Sequence, residues 1–519
     1  MLHFLACALT LTLGFANAKQ QRYTLKVVDA NVNPDGFPRP AVTVDGTFGP
    51  LLAAGRYDDF QIEVNNRLSD PRMLKGTSIH WHGIFQHRTA AMDGPAFVTQ
   101  CPIASGHNFT YEFPTGGQTG TYWQALSQYH SHYSTQYCDG LRGPIVIYDP
   151  QDPYLGFYDI DDASTVITFA DWYHAFAPVV AARPGPPTPD STLINGLGRW
   201  VGNPTGSLSV VSVKHGKRYR MRLINIACDP NYFITFEGHT LTVIEADGIT
   251  TKPQVVNSVQ LFVGQRYSVI LTANRPVANY WIRANPSSGP PGFLGGINSA
   301  ILRYEGAPAS QPIGVTQFLG KTLLEQSLVP QSNPHPPGGH NPPDVDFVFN
   351  ITSGNHSFFM NGVTYQSPSV PIILQILNGA DPRNLLPKGS VYILPKNSVI
   401  QISVPGGSLG APHPFHLHGH SFSVIRSAGQ TVYNYDDPVQ RDVVSTGGSK
   451  TDFTTIRFRT DNPGPWIFHC HIDWHLGAGL AVVFAEDPAG QVKGPQSQKH
   501  TKAWDQLCPI WDSLPDSEH

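Results

Sequence analysis

A chain of 519 residues exceeds what one hydrophobic core usually supports, so two to four domains are expected. Its net charge of -4 at pH 7 gives no electrostatic basis for binding nucleic acid or an anionic membrane. Charged residues make up only 14% of the chain, whereas glycine (49) and proline (46) are abundant, which is typical of short strands joined by tight turns. We therefore expect an all-β protein.

The first eighteen residues form one apolar run that ends in Ala16-Asn17-Ala18, a pattern typical of a cleaved signal peptide. The mature chain is expected to begin near Lys19 and to be secreted. No later stretch approaches the roughly 18 consecutive apolar residues of a membrane span, so no membrane insertion is expected. Three glycosylation acceptor sequences agree with secretion, at Asn108, Asn350 and Asn355.

Strand-like segments recur along the chain with turn residues between them, among them FQIEVNN, GPIVIYD, TVITFAD, YSVILTAN and AVVFAED. No long amphipathic helix is predicted. Residues 148–159 and 307–312 are typical of linkers, and residues 330–344 of an irregular surface loop. We therefore expect three β-sandwich or β-barrel domains, with boundaries at 19–149, 150–308 and 309–519.

Five of the six cysteines remain once Cys7 leaves with the signal peptide, so one thiol must stay unpaired in an oxidising compartment. Cys470 is the candidate, because it lies between two histidines in an apolar strand. The other four lie beside Pro, Asp or Gly in loop-like surroundings and are expected to form two disulfides: Cys101, Cys138, Cys228 and Cys508. The residues alone allow three pairings among them.

Four His-X-His pairs occur, at His80/His82, His130/His132, His416/His418 and His469/His471. Chance would give about 0.9 such pairs for this histidine content. Both histidines of a pair project to one face of a strand, so eight imidazoles can surround several metal ions. Two pairs come from the first third of the chain and two from the last, which predicts a cluster where domains one and three meet.

The middle domain is then expected to be a spacer and part of a substrate wall, without metal. Its histidines, His174, His215 and His239, are isolated, and lone histidines are usually hydrogen-bonded or surface residues.

Cys470 must point to the opposite face from His469 and His471, because side chains alternate along a strand. With His413 and His475, its sulfur would complete the trigonal His₂Cys set of a blue-copper site. Zinc is the competing metal, but a structural zinc site needs only four closed ligands, so copper is favoured. The weak axial position falls on Leu480, which has no donor atom and therefore predicts a high reduction potential.

The motifs HWHG, YHSH, HPFHLHGH and HCHIDWHLGAGL, in this order, resemble those of the multicopper oxidases, and among them the secreted basidiomycete-type fungal laccases. The segments DGPAFVTQCPI, STQYCDGLRGP, CDPNY and NYWIRANP are also similar to laccase segments. The resemblance covers nearly all of the mature chain. It implies three consecutive cupredoxin-like Greek-key β-barrel domains, in a monomer.

The resemblance also implies one type 1, one type 2 and two type 3 copper ions per chain. It assigns the type 1 copper to His413, Cys470 and His475, and the type 2 copper to His80 and His416. It assigns one type 3 copper to His82, His130 and His471, and the other to His132, His418 and His469. It pairs the cysteines as Cys101 with Cys508 and Cys138 with Cys228. His475 would be the residue through which electrons enter from the substrate.

Two carboxylates have expected roles by the same resemblance. Asp229 falls in the phenol pocket, where it would accept the proton that a phenol loses as it is oxidised. Asp93 falls near the histidine cluster and would help to deliver protons to oxygen. Each residue has a simpler interpretation as a turn residue, in Asp-Pro-Asn and Asp-Gly respectively.

The chain departs from the family pattern at residues 124–128, where QALSQ separates Trp123 from Tyr129. A slide of the strand would invert side-chain parity, so this segment is expected to loop out or form a bulge if His130 and His132 are ligands. Otherwise the type 3 sites would not fill. Smaller departures are Gly477, where an acidic residue is common, and AAMDGP at residues 90–95, which lacks the usual tryptophan.

The predicted function is that of a secreted laccase. Such an enzyme removes single electrons from phenols or aromatic amines, as in lignin or phenolic degradation, and reduces dioxygen to water. Two alternatives remain open. An Fe(II) oxidase would need several carboxylates around the type 1 site, and a copper-binding protein without turnover would result if the second histidine pair were displaced.

Overall fold

The computed structural model of the protein describes residues 18–115, 125–407, 411–515 and 518. The predicted signal peptide therefore lies outside the described residues, apart from Ala18. Strands dominate the described chain, and its longest α-helices have six residues. None of these helices combines the length and apolar character needed to cross a lipid bilayer. The expected all-β class is confirmed.

The N-terminal unit contains eight strands: β1 (Gln20–Val32), β2 (Arg39–Val44), β3 (Leu52–Gly55), β4 (Asp59–Asn66), β5 (Ile79–His82), β6 (Asn108–Pro114), β7 (Ala125–Ser131) and β8 (Arg142–Tyr148). They form two sheets, with strand orders β2-β1-β4-β6 and β3-β8-β7-β5. In β4, Phe60, Ile62 and Val64 are buried while the residues between them are partly exposed, as alternation on a half-buried sheet requires.

The middle unit contains twelve strands: β9 (Val166–Trp172), β10 (Ser191–Ile194), β11 (Leu197–Trp200), β12 (Val210–Val213), β13 (Arg218–Asn225), β14 (Tyr232–Phe236), β15 (Leu241–Ala246), β16 (Ile249–Val256), β17 (Ser258–Leu261), β18 (Arg266–Thr272), β19 (Asn279–Pro286) and β20 (Ser299–Tyr304). The sheets have orders β11-β10-β9-β13-β18-β15-β16 and β12-β20-β19-β14-β17. Helix α1 (Ala177–Ala181) follows β9.

The C-terminal unit contains the remaining strands: β21 (Val345–Val348), β22 (Ile351–Gly354), β23 (Ser357–Met360), β24 (Val391–Leu394), β25 (Val399–Pro405), β26 (Pro414–Leu417), β27 (Phe422–Arg426), β28 (Gln440–Arg441), β29 (Val443–Ser445), β30 (Phe453–Arg459), β31 (Gly464–Cys470) and β32 (Ala481–Glu486). Its sheets are β21-β25-β30-β27-β28, β24-β32-β31-β26-β29 and the hairpin β22-β23. The short helices are α2 (Ile372–Leu377), α3 (Asp473–Gly477), α4 (Pro488–Val492), α5 (Lys502–Asp505) and α6 (Leu507–Asp512).

The four histidine pairs lie on or directly after two pairs of adjacent antiparallel strands. In the N-terminal unit β5 pairs with β7, which places His80 opposite His130. In the C-terminal unit β26 pairs with β31, which places His416 opposite His469. Directly opposed residues have neighbouring side chains, so each strand pair brings its histidines together before the two units meet.

The expectation that residues 124–128 loop out or form a bulge is wrong for residues 125–128. These residues belong to β7 and pair in unbroken register with β8, from Ala125 opposite Ile147 to His130 opposite Arg142. Gln128 lies opposite His82 on β5. The segment therefore supplies the strand itself, and the histidine pair keeps its place because the register is continuous up to His130.

Two disulfides join distant parts of the chain, Cys101 with Cys508 and Cys138 with Cys228. These are the pairs that the resemblance implies. The first ties α6 to the N-terminal unit, against which Trp504 also donates a hydrogen bond to the Thr99 carbonyl. Cys470 is buried and forms no disulfide. The three predicted glycosylation acceptors, Asn108, Asn350 and Asn355, are exposed.

Candidate metal centres

Eight buried histidines from the N-terminal and C-terminal units face one another across the interface between these units. The His80 ring stacks on that of His418 and the His82 ring on that of His416, each with 3.8 Å between centroids. Potential ligand atoms lie within 4.8 Å of one another in three groups: His80, His82 and His416; His82, His130 and His471; and His132, His418 and His469. The last two groups are the type 3 sets that the resemblance assigns.

Backbone carbonyls fix the tautomer of several of these rings. Nδ1 lies 2.8 Å from the Asp93 carbonyl in His80, 2.8 Å from the Asp442 carbonyl in His416, and 3.0 Å from the Cys470 carbonyl in His469. A carbonyl only accepts hydrogen bonds, so Nδ1 must carry the proton and Nε2 keeps its lone pair. This is how a metal-binding histidine is normally oriented.

Several ring nitrogens of the cluster are buried and have no hydrogen-bond partner among the described residues: Nε2 of His80, His130, His132 and His416, and Nδ1 of His471. A buried polar atom without a partner costs about 1–3 kcal/mol. Five such atoms in one place are therefore expensive unless something binds them. Metal ions are the natural partners, because each atom belongs to, or adjoins, one of the groups above.

Seven of the eight histidines of the cluster have a pKa lowered far enough to be neutral at ordinary pH. Burial, reinforced by the positive charge that neighbouring rings would carry, lowers the pKa well below its usual value in His82, His130, His132, His416, His418 and His471. Burial lowers the pKa of His469 to about 3. Metal coordination requires unprotonated imidazole, so these seven rings are already in the form that binds metal.

Asp93 contacts two rings of the cluster. Besides the carbonyl that accepts from His80, its carboxylate Oδ2 accepts from His418 Nδ1 at 2.8 Å. Burial raises the pKa of this carboxyl group. The structure therefore places Asp93 as an orienting residue for ligands, while its predicted part in proton delivery stays a prediction.

The middle unit is more than the expected spacer, because Arg266 of β18 reaches the cluster. It donates to both carboxylate oxygens of Asp442, with Nη2 2.7 Å from Oδ2, and its Nη1 lies 3.0 Å from His82 Nε2. Asp442 Oδ1 is 3.3 Å from the same nitrogen. These groups occupy Nε2 of His82 and leave Nδ1 facing His471 Nε2 at 3.2 Å.

Sequence reasoning missed both Arg266 and Asp442, since GQRYS and QRDVV carry no recognisable motif. The lone histidines of the middle unit are hydrogen-bonded as expected in two cases. His174 pairs with Asp35 at 2.9 Å, and His239 with the Tyr304 hydroxyl at 2.6 Å.

Cys470 forms a second group with His413 and His475. Its Sγ lies 3.7 Å from His413 Nδ1 and 3.5 Å from His475 Nδ1, and these nitrogens are 3.1 Å apart. The sulfur thus points away from the eight-histidine cluster, on the opposite face of β31, as side-chain alternation requires. Such a set of two histidines and one cysteine is that of a blue-copper site.

Backbone hydrogen bonds hold the loop around this second group. Cys470 N–H donates to the Leu480 carbonyl at 3.1 Å, and Leu480 N–H donates to the His475 carbonyl at 2.9 Å. Burial raises the pKa of the Cys470 thiol, and it lowers the pKa of His475 to about 3. A bound metal ion deprotonates a coordinating thiol, so a metal is what would turn this group into a His₂Cys⁻ site.

Leu480 is fully buried in the same core cluster as Cys470. Its axial position remains a prediction. The aromatic residue Phe358, on β23, was not foreseen from the sequence. Its ring centroid lies 4.5 Å from that of His475, and its N–H donates to the Ala478 carbonyl. The hairpin β22-β23 therefore packs directly against the half-buried His475.

A cavity of about 530 Å³ opens in front of His475. Trp474 and Phe358 line it together with Leu74, Thr135 and residues of α1 and the loop that follows, so all three units contribute to its walls. Asp229 is not among the lining residues. Burial, and then the charge of Asp171, raise the pKa of Asp229 to about 7, and its charge contributes to the raised pKa of Cys470. Asp229 thus lies near the second group, but not in this wall.

Comparison with known proteins agrees with this arrangement. Three family models, each described as multicopper oxidase, match residues 26–152, 163–307 and 342–490. Laccase-2 of Trametes versicolor is 54% identical over 501 residues, which cover 95% of this chain and 94% of that protein.

Two solved structures extend the comparison. The laccase from Botrytis aclada is 30% identical with a TM-score of 0.82, covering 96% of this chain and 92% of that one. Fet3p, described as a multicopper oxidase that functions in iron import, is 26% identical with a TM-score of 0.82 and covers 95% of each chain. The chain therefore belongs to the multicopper oxidases and consists of three cupredoxin-like domains.

The residues fit the copper that the family uses. The eight-histidine cluster offers buried imidazole nitrogens without hydrogen-bond partners, and the second group offers one thiol and two imidazoles in mutual contact. Imidazole and thiolate are good copper ligands, and copper leads the divalent affinity series. The individual ligand assignments remain proposals that rest on this geometry.

Proposed function

We propose that this chain is a secreted, monomeric laccase that oxidises phenols and aromatic amines at the expense of dioxygen. One observation carries the proposal. A single strand, β31, supplies Cys470 to the group of His413, Cys470 and His475, called the cavity group below, and His469 to the buried cluster, with His471 directly after the strand. Bound copper supplies one-electron oxidation of the donor and four-electron reduction of dioxygen to water. Four phenols each lose one electron and one proton, and one dioxygen takes up four of each.

On the donor side, the protein binds and orients the aromatic substrate. His475 is half-buried and lines the cavity, with Phe358 and Trp474 offering aromatic faces beside it. A substrate ring packed there lies next to the only cavity-lining member of the Cys470 group. From Cys470, the path to His469 and His471 runs through covalent bonds of adjacent residues, so no gap separates the two groups.

On the oxygen side, a separate cavity of about 350 Å³ leads to His132. Tyr133, Tyr365 and Ile467 are among the residues that line this cavity. It gives a small molecule access to the edge of the buried cluster. Asp93 holds His418 Nδ1 through its carboxylate at 2.8 Å, so a proton shared between these two atoms lies beside the cluster. Asp229 has a pKa raised to about 7 and lies near the Cys470 group, outside the cavity wall; it is the carboxyl group that we propose takes up the phenolic proton on the donor side.

The two alternatives are less well supported. An Fe(II) oxidase needs carboxylates at the donor cavity, but the residues that line the 530 Å³ cavity include none. A copper protein without turnover needs the second histidine pair displaced, but His130 and His132 lie within the cluster.

Metal analysis, an absorption spectrum and oxygen uptake of the purified protein test the proposal together. We expect an intense thiolate-to-copper band in the red, a near-ultraviolet shoulder, and oxygen consumption with a simple phenol that exceeds that with Fe(II). A single blue copper per chain without oxygen uptake would support the protein without turnover. Faster uptake with Fe(II) than with the phenol would support the metal oxidase.

A further inference from the structure

The donor cavity has an unusual balance of charge. Its walls are largely apolar, with Leu74, Pro178, Pro187, Phe358 and Trp474 among the lining residues. Apart from His475, whose pKa burial lowers to about 3, the ionisable residues that line the cavity are Arg183 and His356, and both are basic. Among the residues that the structure describes, no aspartate or glutamate lines the cavity. A site built this way attracts anions rather than cations.

Arg183 is available to a ligand. It follows α1, with its N–H donating to the Val180 carbonyl at 3.1 Å, and its side chain is exposed. Among the described residues its guanidinium has no ion-pair or hydrogen-bond partner. Arginine binds carboxylates in a two-pronged geometry that a neutral ester cannot match. Arg183 is thus an exposed arginine that lines an apolar cavity, and its guanidinium is available to bind an anionic ligand.

His356 is fixed at the same cavity by the hairpin β22-β23. Gly354 pairs with Ser357, so Asn355 and His356 are the two central residues of the turn, and both have positive φ, 50° and 59°. These angles are those of a type I′ turn, whose two central residues have a defined orientation. The contact of Phe358 with Ala478 and His475 holds the hairpin over the cavity. His356 lines the same cavity as Arg183, so its ring can donate a hydrogen bond to an anion bound there.

We infer that this cavity selects phenols that carry a carboxylate, with the phenol ring against His475 and the carboxylate at Arg183 and His356. The inference rests on the proposed function and narrows its substrate class. Aromatic acids of the hydroxycinnamate type have this layout, because a conjugated spacer separates the phenol from the acid. Neutral phenols fit the apolar wall but gain nothing from Arg183.

A pair of substrates that differ only in charge tests the inference. Oxidation of 4-hydroxy-3-methoxycinnamic acid and of its methyl ester is compared at about pH 6, where the acid is ionised. We expect the holoenzyme to show a KM about fivefold lower for the acid, the size expected of an exposed ion pair. Arg183→Gln should remove this preference by raising the KM of the acid alone, and Arg183→Lys should keep part of it. Arg383→Gln, an exposed arginine away from the cavity, is the matched control and should change neither value.

Binding without turnover separates this inference from the proposed function. Calorimetry with 4-methoxycinnamate and its methyl ester, which have no phenolic hydroxyl, gives dissociation constants for the same holoenzyme and variants. Tighter binding of the acid that Arg183→Gln and about 0.5 M salt abolish supports the inference, even if no phenol is oxidised. Equal values for acid and ester in the unmodified protein, or an equal change of both in Arg183→Gln, would overturn it.

Discussion

The two histidine groups differ in how the chain positions them. The eight histidines of the cluster lie on or directly after paired strands of two units, and all of them are buried. Several of their rings are held through Nδ1 by a carbonyl or carboxylate oxygen. The cavity group takes Cys470 from the end of β31 but His475 from the short helix α3, where the ring is only half-buried. Strands position the group that must enclose dioxygen, whereas a residue on a short helix positions the group that must meet the substrate.

Removing the Cys470 thiol should have the largest effect on phenol oxidation, because Cys470 is the residue through which the two groups are joined. Cys470→Ser is expected to lower phenol oxidation by at least about 10³-fold, since the His₂Cys set is lost while the cluster is untouched. The red absorption band should vanish and copper per chain should fall by one ion. The near-ultraviolet shoulder should remain.

His239→Gln is a suitable control for that variant, since His239 is buried in the middle unit and pairs with Tyr304 rather than with either group. It should retain all copper and both spectral features. A Cys470→Ser protein that kept its red band would show that the sulfur is not a ligand.

The second-largest effect is expected from replacing Arg266, the residue of the middle unit that contacts the eight-histidine cluster. Arg266→Met leaves the buried carboxylate of Asp442 without its arginine, which typically costs about 3–5 kcal/mol of stability. Because the same pair holds His82, copper affinity of the cluster should also fall about 10- to 100-fold. Denaturant unfolding of the metal-free protein and copper retention against a chelator measure the two effects separately.

Arg441→Met provides the matched comparison. Arg441 is equally buried and pairs with Asp247 and Glu325, but it contacts none of the eight histidines. It should destabilise the fold without weakening copper binding. If both variants lost copper equally, Arg266 would act through stability alone.

Arg266 and Asp442 also mark where sequence reasoning ended. The histidine pairs and Cys470 could be predicted because side chains alternate along a strand with a period of two. The sequence alone therefore shows that the two histidines of a pair share one face and that Cys470 points to the opposite face. Arg266 and Asp442 meet only through the packing of two units, and neither has a local spacing that reveals it. The prediction of a loop or bulge at residues 125–128 was wrong for a related reason. Side-chain parity correctly required that His130 and His132 keep their face, but residues 125–128 satisfy this requirement as part of β7 rather than as a loop. Phe358 likewise depends on where the β22-β23 hairpin docks.

On the donor side, Asp229 should show its role through pH. Burial and Asp171 raise its pKa to about 7, so it is protonated at pH 5 and becomes a proton acceptor only as the pH rises through 7. Asp229→Asn should therefore lower kcat/KM for a phenol by about 10²-fold at pH 8 and hardly at all at pH 5. The raised pKa also means that the native state loses stability as pH rises from about 4 to 7, a loss that the asparagine variant escapes.

Hexacyanoferrate(II), an electron donor that releases no proton, separates proton transfer from damage to the site. Its oxidation should be the same in Asp229→Asn and the unmodified protein at both pH values. An equal loss of phenol oxidation at pH 5 and pH 8 would show that Asp229 does not accept the proton.

The smallest effect is expected at Leu480, whose backbone holds Cys470 and His475 but whose side chain offers no donor atom. Leu480→Met keeps the buried volume, so it should cost less than about 1.5 kcal/mol of stability. A thioether in the axial position would favour Cu(II) and lower the reduction potential of the cavity group, which a redox titration of the red band measures. Leu417→Met, in the same core, should leave that potential unchanged. If Leu480→Met also left it unchanged, the axial position would lie elsewhere, and Leu480 could not be the reason for the high reduction potential that the sequence predicts.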